Sequence, residues 1–350
     1  MLIMAGGTGG HVFPALAVAD ELRARGCEVH WLGTRRGIEA RLVPERGYPI
    51  HFLKVSGLRG VGIRARIRGV LGLAAAGIQA LAAVRRLRPR AVLGFGGFAA
   101  GPGGIAARAL GIPLVIHEQN AIAGTTNRLL ARFATRVLSA FPGVLPGAIQ
   151  CGNPVRAAIA ALATIPADRH HGGAVHLLVL GGSLGARALN TQVPAALALL
   201  PATARPVVRH QCGEAHVEAA RAAYRDAGVA AEVVPFIADM AEAYGWADFA
   251  VCRAGALTVS ELAAAGLPAI LVPYPHAIDD HQYHNARWLE QGGAALLFRE
   301  EALDSGRLAA AIADLSADPT RRAAMGAQAH ALALPDAAQA VAAACLEVAR

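Results

Sequence analysis

Short apolar runs alternate along the whole chain with longer segments of helical spacing. The runs Leu2–Ala5, Val29–Gly33, Ile50–Lys54, Ala91–Phe95, Pro113–His117 and Arg136–Ala140 read as buried strands in the first half. In the second half the same reading applies to Val175–Leu180, Pro206–Gln211, Ala231–Pro235, Phe249–Cys252, Pro268–Pro273 and Ala294–Phe298. Between them, Pro14–Arg25, Ile63–Leu87, Arg187–Leu200, Glu214–Ala227, Leu257–Ala265 and Gln282–Gln291 carry helical periodicity. Such alternation predicts an α/β fold of parallel sheets covered by helices. The pattern also repeats: an apolar strand enters a Gly-Gly-Thr turn at 2–10 and a Gly-Gly-Ser turn at 178–185, each followed by a helix. With 350 residues, more than one core usually supports, the echo predicts two doubly wound units in tandem. We expect a first domain at 1–160, a second at 161–335, and a last helix at 336–350 able to pack back on the first, with the linker between Asn153 and Gly173.

Composition narrows the class. Hydrophobic residues make up 55% and charged residues 17%, which excludes a disordered chain. Charge is distributed unevenly: residues 1–155 hold 19 Lys and Arg against 6 Asp and Glu, whereas 156–350 hold 14 against 19. Between Glu45 and Glu118 there is no acidic residue but eleven basic ones, so the first half is suited to an anionic partner: nucleic acid, a membrane surface or a phosphorylated substrate. The five cysteines are scattered without ligand-like spacing, as expected of a reducing compartment. No signal-like leader is recognisable, and the uncharged stretch Gly69–Val84 is shorter than the roughly 20 residues needed to span a bilayer, so a soluble cytoplasmic protein is expected.

Three glycine-rich turns sit where strands end and helices begin: 6–10, 94–104 and 181–185. Glycine permits close backbone approach, and a following helix offers N–H groups and the positive end of its dipole to an anion. None matches GxGxxG or carries a Walker lysine, which argues against a dinucleotide oxidoreductase and a P-loop ATPase. Simple tight packing is the plainer alternative. His11, in the first turn after Gly10, is suited to act as a general base; it could equally bond backbone at a helix start. His117-Glu118-Gln119-Asn120 ends a strand with four polar residues and is not HExxH, so a zincin is excluded. The turn into the helix at Gly255–Glu261 places Thr258 in the first turn and Glu261 one turn beyond Leu257, suited to a diphosphate and a ribose, or simply to complementing the helix dipole. His276, Asp279, Asp280, His281 and His284 admit a metal site, but the aspartates before Gln282 read better as a helix cap. The basic stretch has no RNP motif and aromatics are 5% of the chain, so it fits anionic lipid better than nucleic acid.

Taken together, Ala5-Gly-Gly-Thr-Gly-Gly-His-Val-Phe-Pro14, Ser56-Gly-Leu-Arg-Gly60, His117-Glu-Gln-Asn120, Gly152-Asn-Pro-Val-Arg156, Gly181-Gly-Ser183 and Gly255-Ala-Leu-Thr-Val-Ser-Glu261 resemble the MurG family, the UDP-N-acetylglucosamine:N-acetylmuramyl-(pentapeptide) pyrophosphoryl-undecaprenol N-acetylglucosaminyltransferases. The resemblance implies a GT-B fold, two Rossmann-like doubly wound parallel-sheet domains with the active site in the interdomain cleft. It also implies inverting transfer of GlcNAc from UDP-GlcNAc to the 4-hydroxyl of the MurNAc of lipid I, giving lipid II in peptidoglycan synthesis. Carried over by motif, the UDP-GlcNAc contacts fall on Thr8, Gly9, Gly10, Asn120, Arg156, Ser183, Ile237, Ala256, Leu257, Thr258, Val259, Ser260, Glu261 and Gln282. Among these, Glu261 would hold the ribose, Leu257 and Thr258 with Ser183 the diphosphate region, and Asn120 and Gln282 the sugar. His11 becomes the candidate base, and Gly96, Gly97, Gly101 and Gly103 would receive the acceptor diphosphate. Arg64, Arg66, Arg68, Arg85 and Arg86 would face an anionic membrane at the cytoplasmic side of the bacterial inner membrane, where other cell-wall synthesis and division proteins are expected partners. No cofactor and no catalytic metal are implied, since a helix N-terminus and hydroxyl donors would meet the diphosphate. The segment Pro273–Gln282 departs from the family pattern, about one residue longer and with His281 where Gln is common. Alternatives are another UDP-GlcNAc enzyme of this fold, such as a 2-epimerase, and a non-catalytic lipid-binding assembly factor.

Overall fold

The computed structural model describes residues 1–54, 63–164, 173–182 and 185–349, with the side chains of 63–71, 163 and 164 outside the description. Its chain divides into two compact units, Met1–Arg156 with Asp336–Arg350, and Ala157–Pro335.

In the first unit the strands are β1 (Leu2–Met4), β2 (His30–Thr34), β3 (Ile50–Leu53), β4 (Val92–Gly94), β5 (Leu114–Glu118), β6 (Arg136–Ser139) and β7 (Ile149–Gln150). All pair in parallel, in the order β3-β2-β1-β4-β5-β6-β7. The helices between them are α1 (Gly9–Ala24), α2 (Glu39–Glu45), α3 (Ile63–Leu87), α4 (Ala100–Ala109) and α5 (Thr125–Leu130). Strand alternation sorts the core into two layers. Ile3, Trp31, Leu93 and Val115 pack with α1 residues such as Leu16 and Leu22 on one face. Leu2, Met4, Leu32, Leu114 and Ile116 pack with Ala80, Val84 and the small residues of α4 on the other.

The second unit holds α6 (Ala157–Ala160), β8 (His176–Leu180), α7 (Arg187–Ala198), β9 (Val207–Gln211), α8 (Val217–Asp226), β10 (Glu232–Val234), α9 (Met240–Trp246), β11 (Phe249–Cys252), α10 (Ala256–Ala265), β12 (Ala269–Leu271), α11 (His281–Gln291), β13 (Ala295–Leu297), α12 (Ser305–Ala317) and α13 (Pro319–Leu332). Its sheet is also parallel, in the order β10-β9-β8-β11-β12-β13. The boundary falls at Arg156, four residues before the expected one, because α6 packs on α9 and α10. The final helix, α14 (Ala337–Val348), belongs to the first unit, where Val341, Ala342 and Cys345 join the core layer of α1. By length and composition Pro319–Val348 could cross a membrane, but the chain leaves the helical state at Ala333 and its two halves lie in different units.

Short strand β7, and α2, α4, α5, α9, α12 and α13, were not anticipated from periodicity. Each is too short or too alanine-rich to give a clear stripe. In both sheets the central pair, β1 with β4 and β8 with β11, is where connections depart in opposite directions, so each unit has its ligand-binding crevice at the carboxyl ends of that pair.

Two histidines are fully enclosed by this packing. His117 Nε2–H donates to the Gly152 carbonyl (2.8 Å), and its Nδ1 accepts from Gln119 Nε2 (3.1 Å). His210 bridges Tyr224 Oη (2.9 Å) and Asn190 Oδ1 (3.0 Å), tying β9 to α7 and α8. Burial lowers the pKa of His117 to about 4 and that of His210 to about 3, from a usual value of 6.5. Both are therefore neutral when folded, whereas the unfolded chain takes up their protons below pH 6.5. Stability present above that pH is lost as the pH falls toward 4, with a slope of up to about 1.4 kcal/mol per pH unit for each imidazole. Thermal melts between pH 7.5 and 4.5 should show this decline, and His210→Gln should flatten it.

Candidate active site

The glycine turn after β1 is shaped from beneath by Glu39, which has no solvent exposure. Its carboxylate accepts from the backbone N–H of Gly7 (3.0 Å) and of Thr34 (2.9 Å) and from the Thr34 hydroxyl (2.8 Å). Gly6, Gly33 and Gly37 crowd around it so closely that a β-carbon on any of them would overlap the carboxylate or its stem. Three charge-assisted hydrogen bonds make a buried carboxylate tolerable where an uncompensated one would not be. The Gly7 N–H is thus committed to the protein, and the ligand-facing part of the turn begins at Thr8.

Thr8 is the N-cap residue of α1, extended at φ −118° and ψ 164°. Its carbonyl accepts from His11 and Val12 N–H, and its hydroxyl lies 3.5 Å from His11 Nδ1. Gly97, at φ +79°, presses on the Gly6 carbonyl: a β-carbon there would lie 2.6 Å from that oxygen. One at Gly96, φ +87°, would lie 3.5 Å from His11 Nε2 and 3.6 Å from Asn127 Nδ2. The glycine turns at 6–10 and at Gly96-Gly97 therefore meet at His11, and both need glycine for their backbone conformation as well as for space.

The turn after β4 is shorter than the glycine run 94–104 suggested. From Ala100 onward the chain is already α4, so Gly101 and Gly103 are helical, not part of a loop. Gly103 is buried with no room for a side chain against Met4 and Leu32, and Gly104 likewise against Leu130. Their small size lets α4 lie close on the sheet, which corrects the expectation of a single loop from 94 to 104. Gly96 and Gly97 remain at the crevice.

Beside them, Glu118 at the end of β5 is 2% exposed and organises the next turn. Its Oε1 accepts from the N–H (3.0 Å) and Nδ2 (3.2 Å) of Asn120; its Oε2 accepts from Gly124 N–H (3.1 Å) and Asn127 Nδ2 (2.9 Å). Asn120 is half-buried at this turn, and Arg156 stands over the Phe13 ring of α1, 5.8 Å from its centroid.

In the second unit, the turn after β8 is held by Gln211. Its Oε1 accepts from Gly182 N–H, and its Nε2 donates to the carbonyls of Gly182 and Pro235, each at 3.0 Å. One side chain thereby links the glycine turn to the segment leading to buried Ile237. Gly182 and Gly185 have φ of +82° and +75°, and a β-carbon on Gly185 would overlap the Cys212 carbonyl. Ser183 lies outside the described residues.

After β11 the chain enters α10 through Gly255. Ala254 is pinned on both sides by α11: Gln282 Oε1 accepts from its N–H (3.3 Å) and from Tyr274 N–H (3.0 Å), while buried Asn285 donates to its carbonyl (3.2 Å). Of the helix start, Leu257 and Thr258 are partly exposed, Ala256 is buried, Val259 points into the core, and the Ser260 hydroxyl bonds back to the Ala256 carbonyl (2.9 Å). Val259 and Ser260 therefore offer a ligand backbone at most. Glu261 is 4% exposed and accepts from the Tyr244 hydroxyl (2.9 Å).

The His276–His284 segment does not converge on a point. His281 Nδ1–H donates to the Ile278 carbonyl (2.7 Å), and His284 is exposed. Among the described residues no group of three His, Cys, Asp or Glu is placed to hold a metal. The expected aspartate cap is also absent: Asp280 is the N-cap residue of α11 but has φ +50°, and its carboxylate pairs with Arg299 (2.9 Å). Of the basic residues, Arg85 is exposed and Arg86 donates to His51 Nδ1 (3.2 Å), while the side chains of Arg64, Arg66 and Arg68 lie outside the description.

Residues 1–139 match the glycosyltransferase family 28 N-terminal domain, and residues 176–341 match the glycosyltransferase family 28 C-terminal domain. The UDP-N-acetylglucosamine--N-acetylmuramyl-(pentapeptide) pyrophosphoryl-undecaprenol N-acetylglucosamine transferase of Alkalilimnicola ehrlichii is 57% identical over 354 residues, spanning 100% of this chain and 99% of the relative. The same-named protein of Nitrosococcus oceani is 58% identical over 353 residues, spanning 100% and 98%. The crystal structure of Acinetobacter baumannii MurG superposes with a TM-score of 0.82 at 40% identity over 99% of this chain and 98% of that one. At 17% identity, the glycosyltransferase VinC shares the fold, with a TM-score of 0.68 over 99% of this chain and 98% of that one.

Glu39, Gln211, Tyr244 and Asn285 were not singled out by sequence. Replacing Glu39 with Ala removes the acceptor of three charge-assisted, part-buried hydrogen bonds, so urea melts should show a loss of about 3 kcal/mol. Gln211→Leu should accelerate hydrogen exchange at the Gly182 amide while leaving exchange in β11 unchanged.

Proposed function

This chain belongs to glycosyltransferase family 28, and we propose that it moves GlcNAc from UDP-GlcNAc to the MurNAc 4-hydroxyl of undecaprenyl-diphospho-MurNAc-pentapeptide, with inversion at the anomeric carbon. It is a hexosyltransferase with the two-unit GT-B fold. The observation that carries the reading is identity above half, over the whole chain, to enzymes named for this transfer.

The acceptor oxygen attacks C1 as the bond from C1 to the diphosphate oxygen breaks, so a proton must leave the 4-hydroxyl and negative charge must be met on departing UDP. His11 takes the proton in this reading. With Nδ1–H directed at Thr8 Oγ1, Nε2 is the basic nitrogen, on the side of Gly96 where the turns after β1 and β4 meet. UDP is received by the second unit. The start of α10 offers N–H groups, the positive end of the helix dipole and the Thr258 hydroxyl to the diphosphate, supported by the turn that Gln211 holds. Glu261 accepts from the ribose hydroxyls. Gln282, whose Oε1 is engaged with backbone, contacts the sugar through its amide N–H₂. This donor set neutralises the leaving group without a metal.

Membrane association belongs to the same reading. In the first unit Leu73, Ile78 and Leu81 of α3, Phe98, and Ile105 of α4 are large apolar residues exposed to solvent, and α3 ends in Arg85 and Arg86. Apolar side chains beside arginines suit the interface of an anionic bilayer, at the cytoplasmic face where the nucleotide sugar is available.

Purified protein given UDP-GlcNAc and a lipid-linked acceptor in excess EDTA should release UDP only when acceptor is present. Failure to do so would overturn the assignment, and acceptor-independent conversion of the sugar would point to an epimerase. His11→Ala should lower kcat by roughly 10²- to 10⁴-fold with UDP affinity unchanged. Charge and polarity changes at the lipid-facing surface should separate from this: Ile78→Asp with Arg85→Glu should weaken co-sedimentation with anionic vesicles, more at low salt, while UDP affinity stays constant.

A further inference from the structure

We propose that Tyr244 is a positioning residue for the donor ribose, acting through Glu261. The inference rests on the reading of Glu261 as the ribose acceptor. Tyr244 lies on α9, has no solvent exposure, and directs its hydroxyl to Glu261 Oε2 at 2.9 Å. Its helix is itself fixed at the start, where the Asp239 carboxylate accepts from Glu242 N–H (2.9 Å).

The pairing is not what packing alone would select. Glu261 sits in the sequence Ala-Leu-Thr-Val-Ser-Glu-Leu-Ala-Ala-Ala, where every position from Glu261 to Ala265 is buried. A carboxylate at that depth is costly, and an apolar residue of the same volume would pack there without desolvation. A carboxylate is useful where something must be accepted, and this one is two turns into the helix that starts at the crevice of the second unit.

A ribose presents two adjacent hydroxyls as donors, and a carboxylate with about four acceptor positions can take both, provided its plane is set. Left alone, the terminal torsion of glutamate is broad and roughly two-fold, so binding would have to fix it. The tyrosine hydroxyl takes one acceptor position on Oε2 and sets that torsion beforehand. Tyr244 thereby lowers the ordering cost of donor binding and sharpens selection for a 2′-hydroxyl.

The test compares UDP with 2′-deoxy-UDP as inhibitors, alongside UDP-GlcNAc kinetics, for the wild type, Tyr244→Phe and Glu261→Gln. Phenylalanine keeps the buried ring, so a thermal melt close to wild type is expected. Tyr244→Phe should raise KM for UDP-GlcNAc roughly 5- to 30-fold with kcat within about twofold, and should shrink the preference for UDP over 2′-deoxy-UDP. A purely structural role would weaken both nucleotides equally and lower the melting temperature, and that result overturns the inference. If Glu261→Gln abolishes the preference while Tyr244→Phe retains it, the ribose reading stands and the role of Tyr244 falls. If Glu261→Gln also retains the preference, the ribose reading itself fails and takes the inference with it.

Discussion

A parallel sheet delivers its chain to the crevice through turns whose N–H groups cannot pair within the sheet, and the shape of those turns depends on buried acceptors supplied from elsewhere. Glu39 performs this for the turn after β1, Glu118 for the turn after β5, Gln211 for the turn after β8, and Gln282 for the entry to α10, where the Asn285 amide also donates to the Ala254 carbonyl. Each is a side chain that substitutes for a missing backbone partner, and all but Glu118, which stands at the head of its own turn, come from a separate segment. Glycine supplies the conformational freedom, but these acceptors choose which conformation is adopted. His11 and Asn120 are presented to the crevice of the first unit, and the start of α10 to that of the second, because the backbone beneath them is fixed in this way.

This division explains what could be read from sequence. The strands, the tandem repeat and the positions of the glycine turns were legible, because they follow from local runs of apolar residues and from local backbone permissiveness. Glu39, Gln211 and Asn285 were not, because their partners are distant: Gly7 and Glu39 are 32 residues apart, Gly182 and Gln211 are 29, and Ala254 and Asn285 are 31; Glu118, which bonds Asn120 two residues on, was visible within a polar run. Glu39 carries one faint signal, an acidic residue set among Gly33 and Gly37, which makes sense only once its burial is known. Glycine was also an ambiguous letter. Gly96 and Gly97 have positive φ and line the crevice, whereas Gly103 and Gly104, a few positions on, are helical and serve close packing. Nothing in the run Gly-Gly-Phe-Ala-Ala-Gly-Pro-Gly-Gly distinguishes the two uses; the helix starting at Ala100 does.

The uneven charge along the chain takes on a finer meaning at the level of side chains. The first unit is rich in arginine, yet its crevice is built on two buried carboxylates, Glu39 and Glu118, while its exposed cations are carried elsewhere, as at the end of α3. Charge in this unit is thus sorted by burial: carboxylates lie beneath the turns, and the arginines at the end of α3 stand in solvent. Arg156, over the Phe13 ring, is the last residue of the first unit before the chain enters the second.

The chemical type of each acceptor fits what the turn above it is proposed to bind. Beneath the two turns meant for UDP, the supports are amides: Gln211 under Gly182, and Gln282 with Asn285 around Ala254. A carboxylate in either place would stand within several ångströms of a diphosphate. Two negative charges facing one at about 6 Å oppose binding by about 5 kcal/mol at an effective dielectric constant of 20, more than a helix N-terminus returns. The amides hold the backbone equally well and carry no charge. In the first unit the turns at His11 and Asn120 rest on carboxylates, Glu39 and Glu118, whose stronger hydrogen bonds hold the backbone more firmly. Glu261 is the one buried carboxylate at the crevice of the second unit, and its proposed partner is the ribose, whose hydroxyls donate. In the second unit the choice of amide or carboxylate thus follows whether the ligand group proposed for each position accepts or donates.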